Sequence, residues 1–241
     1  MPFETRTTFS IIIPVLHEGE RILSLIDQIH TLQPEESYEI IVADGSPDLD
    51  TLEPLRERKE VIALASPPGR AKQMNRGASV ARGEVLLFLH ADTKLPPGAL
   101  GKITEALHGS DAVGGAFDLG IASGKLFFKV IECASSIRSR LTRIPYGDQA
   151  IFVKKEYFDL IGGYREIPLM EDIELMQRIK KRGDRIHILK DRVETSPRRW
   201  EKEGILFCML RNWTLSTLYY LGVSPEILNR FYRHGKDAYG S

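Results

Sequence analysis

Residues 83–98, GEVLLFLHADTKLPPG, carry five apolar side chains, Val85 to Leu89, straight into His90, Ala91, Asp92 and Thr93, and stop at Pro96 and Pro97. An unbroken apolar run of this length, bounded by turn residues, is the pattern of a strand covered on both faces, as in a parallel sheet. Phe9–Val15, Tyr38–Ala43 and Val61–Ala65 have the same character. Between them, helical spacing extends over Glu18–Leu32, Leu49–Arg58 and Arg70–Ala81. Four strands joined by helices before Thr93 predict an α/β fold: a mostly parallel, Rossmann-like sheet flanked by helices, with right-handed crossovers. Ligands of such sheets bind beyond the carboxyl ends of the strands. His90 and Asp92 therefore stand at the rim of a predicted cleft.

The second half departs from this alternation. Strands are expected at Ala112–Leu119, Ala150–Lys154 and Arg185–Leu189, with helices at Lys125–Leu141, Glu156–Ile161 and Glu171–Arg182, the last ended by Gly183. Two helices are expected to finish the chain. With 241 residues, 42% of them hydrophobic, and no repeat or linker, we expect one domain. Within it we expect three consecutive segments, residues 1–98, 99–195 and 196–241, the last of them helical.

Lys plus Arg and Asp plus Glu both number 33, so no net field draws the chain to nucleic acid. Cys133 and Cys208 lie in apolar helical patterns and are read as buried, reduced thiols of a cytoplasmic protein. The opening MPFETRTTFSIIIPV has neither a signal-peptide nor a membrane-start pattern. Gly204–Val223 is apolar but interrupted by Arg211 and Asn212, which argues against a span. That region closes the core, forms a dimer interface or lies against an anionic membrane as a peripheral contact. Monomer and homodimer both stay open.

Candidate chemistry gathers at the strand ends. Pro14 removes a ladder donor where the first strand leaves the sheet, and Glu18 opens the following helix. Asp44, in IIVADGSPDLDT, either accepts hydrogen bonds from a base or closes an Asx-turn. Arg70, with Lys72 and Arg76, sits at a helix start suited to phosphate or forms a solvated basic face. Asp92 is placed where a divalent ion bridging a diphosphate would sit, since Mg2+ takes one or two carboxylates and phosphate oxygens. Asp172 follows Glu171 at the opening of a helix, whose N-terminus stabilises carboxylates; taken by itself it reads as a capping acid.

The ordered set SIIIPVLHEGE, IIVADGS, GRAKQMNRGASVARGEVLLFLHADT, GDQAIFVKKEYFDLIGGYRE and LMEDIEL resembles the family 2 glycosyltransferases over about Phe9 to Gly183. The resemblance implies the GT-A fold, a nucleotide-diphosphate sugar donor, a hydroxyl-bearing acceptor and Mg2+ or Mn2+. It implies that Pro14, Glu18 and Asp44 hold the nucleoside and that Asp92 is a metal and diphosphate ligand. His90 replaces the first acid of the family's DxD motif, leaving it to donate to ribose, join the metal shell or pack. Asp172 takes the position of the catalytic base, with Glu171 beside it. Asp148 and Gln149, in GDQ, stand where relatives line the acceptor pocket. TSPRRWEKEG resembles a basic and aromatic segment that in some members closes over the donor, implying either Arg199 at the diphosphate and Trp200 at the sugar or acceptor, or a loop and a core anchor. The fuller pattern looks like a small soluble bacterial subgroup associated with arsenosugar biosynthesis. The implied reaction is inverting transfer. The alternatives are a sugar nucleotidyltransferase and a non-catalytic nucleotide-sugar-binding protein.

Overall fold

The computed structural model describes residues 9–32 and 34–237; the opening residues 1–8 lie outside the described residues. Strands β1 (Phe9–Val15), β2 (Tyr38–Asp44), β3 (Val61–Ala65) and β4 (Val85–Phe88) run parallel. They are joined through helices α1 (Arg21–Thr31) and α2 (Arg70–Val80). Leu49–Arg58, expected as a helix, holds only a 3₁₀ turn at Glu53–Leu55. Its start is diverted because Leu49 adopts φ 53° and Asp44 Oδ2 captures the Thr51 N–H at 3.2 Å.

Beyond β4 come β5 (Thr93–Lys94), α3 (Ala99–Leu107), β6 (Ala112–Ile121), α4 (Leu126–Thr142), β7 (Phe152–Lys154), α5 (Lys155–Leu160), α6 (Glu171–Arg182) and β8 (Arg185–Thr195). The eight strands form one sheet in the order β3-β2-β1-β4-β7-β6-β8-β5. β7 is antiparallel to both neighbours, while β6 and β8 pair in parallel. β8 runs past the expected Leu189 because β6 reaches Ile121 and β5 pairs with the far end of β8, Thr93 opposite Thr195. That last pairing folds the segment after β4 back toward the C-terminal helices.

Two apolar layers sandwich the sheet. Ile11 and Ile13 of β1 face the layer containing Ile22, Ile26 and Ile103 of α1 and α3; Ile12 faces that containing Met74 and Ile173 of α2 and α6. This split follows the two-residue period of a strand. A Cβ on Gly77 would lie 2.5 Å from Ile12 Cγ2, so α2 rides directly on β1. In β6, a Cβ on Gly114 would meet the Phe152 carbonyl oxygen at 2.3 Å, and one on Gly115 the His187 oxygen at 2.1 Å. Those two glycines let β7 and β8 close on β6.

The C-terminal region holds three helices rather than two: α7 (Arg198–Glu203), α8 (Ile205–Tyr220) and α9 (Pro225–Asp237). Gly204, at φ 90°, separates the first two. Among the described residues no helix is long and apolar enough to cross a membrane. Cys208 is buried, but Cys133, expected inside, is exposed. α4 instead turns Glu132 inward, where its Oε1 accepts the Ile121 N–H at 2.9 Å and Arg192 pairs with Oε2 at 3.0 Å. A buried carboxylate needs such partners.

Gly115→Ala forces a methyl against a backbone carbonyl that no rotamer change can relieve. It should destabilise folding by about 3 kcal/mol, read from the midpoint shift in urea unfolding.

Candidate active site

The carboxyl ends of β1, β2 and β4 meet at one edge of the sheet. Gln73, on α2 and 3% exposed, clips the first two together by donating from Nε2 to the carbonyls of Val15 and Ala43. Pro14 is buried at the end of β1, beyond Ile12, where the pairing of β1 with β4 stops; its missing N–H therefore costs no ladder bond there.

Asp44, expected against the nucleoside or in an Asx-turn, has a fully buried carboxylate engaged by its own turn: Oδ1 accepts from the Ser46 N–H (2.8 Å) and hydroxyl (2.5 Å), Oδ2 from the Thr51 N–H. Ser46 Oγ in turn accepts the His17 N–H at 2.8 Å, and Thr51 Oγ1 accepts the N–H groups of Glu18 and Gly19 at 3.2 and 3.3 Å. Asp44 thus shapes the loop that presents Glu18. Burial pushes the Glu18 carboxyl above its usual value; Asp92 and Asp50 add to this, against Arg21 and Arg198.

Asp92 is exposed, and the segment carrying it is pinned from two sides. Its carbonyl accepts the Ser196 N–H at 2.9 Å, while Thr93 Oγ1 meets Thr195 Oγ1 at 3.2 Å. The carboxylate takes one weak bond, from its neighbour Thr93 at 3.3 Å, and its charge acts on Glu18, Arg70 and Asp148. An exposed acid with spare lone pairs, facing cations and further acids, fits a divalent ion shared with phosphate oxygens. A separate trio, exposed His17 and Asp48 with half-buried Asp50, brings His17 Nδ1 within 3.5 and 3.8 Å of the two carboxylates.

Asp172 lies in the first turn of α6. Its Oδ2 accepts the Gly147 N–H at 2.6 Å and its Oδ1 the Ile173 N–H at 2.8 Å. Gly147 is crowded: a Cβ there would lie 3.0 Å from His90 Nε2 and 3.3 Å from Asp172 Oδ2. His90 therefore packs over Gly147 next to the acid. Burial, with Arg70 and Arg199 adding repulsion, drives its imidazolium pKa down to about 3, so the ring is neutral.

Burial also pushes Asp148 up to about 6, with Asp172 and Asp92 reinforcing the shift against Arg138 and Arg70. Its Oδ1 is buried without a hydrogen-bond partner. Glu171, 5% exposed, is pushed up to about 7 by burial and by Asp172, against Arg70, whose Nη1 is 3.9 Å away. Burial works against the charge of Arg70, but the facing Glu171, Tyr232, Asp172 and Asp92 outweigh it and raise its pKa. Glu174, the helical neighbour of Glu171, is instead tied to Arg178 at 2.8 Å and Arg165 at 3.1 Å.

Two further expected site residues have their partners within the wall. Gln149 lies inside the wall, fully buried: Nε2 donates to Phe117 O at 2.9 Å, and Oε1 accepts from Ser139, Arg138 and the Tyr146 N–H. Trp200 stacks edge-on against Phe128 at 6.3 Å and anchors α7 to the small cluster of Leu119 and Ile121. Its neighbour Arg199 faces the cleft, close enough to act on His90. Reading from sequence missed Gln73, Arg138, which lies 3.3 Å from the Tyr146 ring centroid, and Ser216, which meets Tyr146 Oη at 3.2 Å. Gln73 alone left a signal, a polar residue one helical turn before the buried Gly77.

Residues 10–165 match the family model of Glycosyl transferase family 2. This chain belongs to glycosyl transferase family 2. Over 115 residues, 45% of this chain and 33% of the other, it is 31% identical to a dolichol-phosphate mannosyltransferase of Pyrococcus furiosus. Its fold resembles the mannosyltransferase PcManGT of Pyrobaculum calidifontis, solved with GDP-Man and Mn2+: TM-score 0.62, 20% identity, 78% of this chain and 56% of that one. Residues 1–349 of S. aureus TarS, solved with UDP-GlcNAc, give 0.58 at 16% identity over 79% and 58%. The family 2 chain thus has the GT-A fold and spans about a third of the curated relative's length.

The displaced Glu171 proton couples to folding. Between pH 4.5 and 7 the folded chain retains a proton that the unfolded chain has lost, so stability present below pH 4.5 declines as pH rises through 7. Glu171→Gln should remove a decline on the order of 2 kcal/mol across that window, measured by urea unfolding at stepped pH.

Proposed function

We propose that this chain is an inverting, metal-dependent glycosyltransferase that moves a sugar from a nucleotide-diphosphate donor to an acceptor hydroxyl. The observation that carries the reading is the Asp172 carboxylate, held by the N–H groups of Gly147 and Ile173 beside a neutral His90. Two fixed donors aim one carboxylate, and each oxygen keeps a lone pair for a proton.

In this reading the nucleoside lies along the ends of β1 and β2 near Glu18, with the diphosphate toward Asp92, Arg70 and Arg199. Asp172 accepts the acceptor's hydroxyl proton. The freed oxygen attacks the anomeric carbon from the face opposite the diphosphate, and the bond from that carbon to the diphosphate oxygen breaks. The nucleoside diphosphate leaves, and the configuration inverts. Arg70 and Arg199 supply fixed positive charge where the leaving group gathers negative charge. Asp92 would hold Mg2+ or Mn2+, which when bound neutralises charge on the diphosphate. Asp148, with its carboxyl raised to about 6 and one buried oxygen unpartnered, is suited to hydrogen-bond the acceptor. The likeness to the arsenosugar-associated subgroup belongs to this proposal.

Asp172→Asn keeps the shape and removes the base. Transfer should fall by about 10²–10⁴ while donor affinity by calorimetry stays within about twofold. Unchanged turnover, or release of pyrophosphate in place of a nucleoside diphosphate, would overturn the reading. Asp92→Ala should abolish the part of nucleoside diphosphate binding that depends on Mn2+, seen by comparing isotherms with and without the ion; identical ion dependence in both proteins would exclude Asp92 as the ligand.

A further inference from the structure

Helix α8 is inside out. Its one charged residue, Arg211, has a side chain only 8% exposed, bound to Glu203 and set over the rings of Phe207 and Tyr232 at 5.2 and 5.0 Å. Leu206, Leu210 and Trp213 face outward at 59%, 52% and 60% exposure, and their spacing puts them on one stripe. Helix α4 repeats the inversion. Glu132 is 1% exposed, while Leu126 and Leu141 are 81% and 79% exposed, with Val130 and Ile137 between them. The regions adjoin: Lys125 Nζ reaches Glu201 of α7 at 2.9 Å, and Ile131 and Ile205 pack on the same cluster. Charged groups paired inside and large apolar groups left outside mark a surface that meets a partner.

The charge of the two regions favours one partner. At the exposed positions of residues 125–142 and 196–232 stand six Lys and Arg against two Glu, in a chain whose formal net charge is zero. A second copy docked by a two-fold axis would set this excess against itself. Anionic lipid headgroups would complement it. Trp213 and Tyr220, both exposed, pair an apolar ring with a polar edge, the combination suited to a membrane–water boundary. No described helix can cross a bilayer, so the contact is one of helices lying in the surface.

We propose that α4 and α8 dock this chain on an anionic lipid bilayer. The opposite side of α8 meets the cleft through Ser216 and Tyr146, so docking brings the cleft alongside the headgroups. The proposal stands independently of the transfer chemistry.

Sedimentation with vesicles of equal parts phosphatidylcholine and phosphatidylglycerol tests it, beside vesicles of phosphatidylcholine alone. The chain should sediment with the mixed vesicles, less so as salt is added, and Trp213 emission should move to shorter wavelength. The double variants Leu206→Ser/Leu210→Ser and Leu126→Ser/Leu141→Ser change exposed positions and keep Trp213 as reporter. Each should lower partitioning about tenfold or more with unchanged circular dichroism. Absence of binding at low salt, or undiminished binding by both variants, overturns the proposal. A concentration-dependent dimer that the same substitutions dissolve, without vesicle binding, assigns the face to a second copy instead.

Discussion

The cleft depends on how closely three backbones can approach at β6. Carbonyl oxygens of Phe152 and His187 come so near Gly114 and Gly115 that only hydrogen fits between them. That approach lets the short antiparallel β7 sit between β4 and β6, with Phe152 opposite Leu87 on one side and Gly115 on the other. β7 continues the chain from Gly147–Gln149, and its register brings that segment beside His90 at the end of β4. The Gly147 N–H then meets Asp172, which arrives from a helix on another part of the chain. A hydrogen bond between residues 25 positions apart is thus set by a steric allowance several ångströms away.

Strain and charge concentrate around this junction. His17, Ala150 and Met170 adopt left-handed backbone angles although none is glycine, and they directly adjoin Glu18, Gln149 and Glu171. Such conformations cost of order 1 kcal/mol or more each and persist only where surrounding contacts fix them. Asp44 and its hydroxyl partners fix the first; the Gln149 amide, with partners on β6, on α4 and in the loop at Tyr146, fixes the second. Buried acids are gathered nearby with few cations, which is why Asp148 and Glu171 hold protons more tightly than free carboxyls. Arg70 spans this group, facing Glu171, Asp172 and Asp92 together, and ties the phosphate-facing helix to the acids opposite.

The first four strands were legible because each is an unbroken apolar run, although only β1, β2 and β4 are covered on both faces and β3 forms the sheet's edge. Helix α6 was legible to the residue, since acids open the helix and Gly183 closes it. The three-residue β7 and the far half of β8, where RVET alternates in polarity, carry too little apolar signal to reveal their pairing. Asp44 shows a different limit. An aspartate in a DGS turn reads the same whether it faces a ligand or the wall, and only the approach of Thr51 and Ser46 decides. Motif position sets Gln149 and Trp200 at the cleft without revealing that one side chain has four partners inside the wall and the other an aromatic neighbour. For α4 and α8, periodicity identifies a helix without saying which face turns inward. The usual assumption, apolar side in, fails for both because Glu132 and Arg211 find their partners inside.

Cys133 acquires an unanticipated property from that inversion. It lies on the outer face of α4 between Val130 and Ile137, whereas Cys208 is buried and its thiol raised by burial and by Glu203. Only one of the two sulfurs is open to a bulky alkylating reagent. A reporter attached there would sit on the apolar face itself, so the native chain offers a single site for labelling that surface without introducing any cysteine. The same exposed sulfur would also let oxidation link two chains through this face, a covalent dimer distinct from any arrangement the fold itself requires.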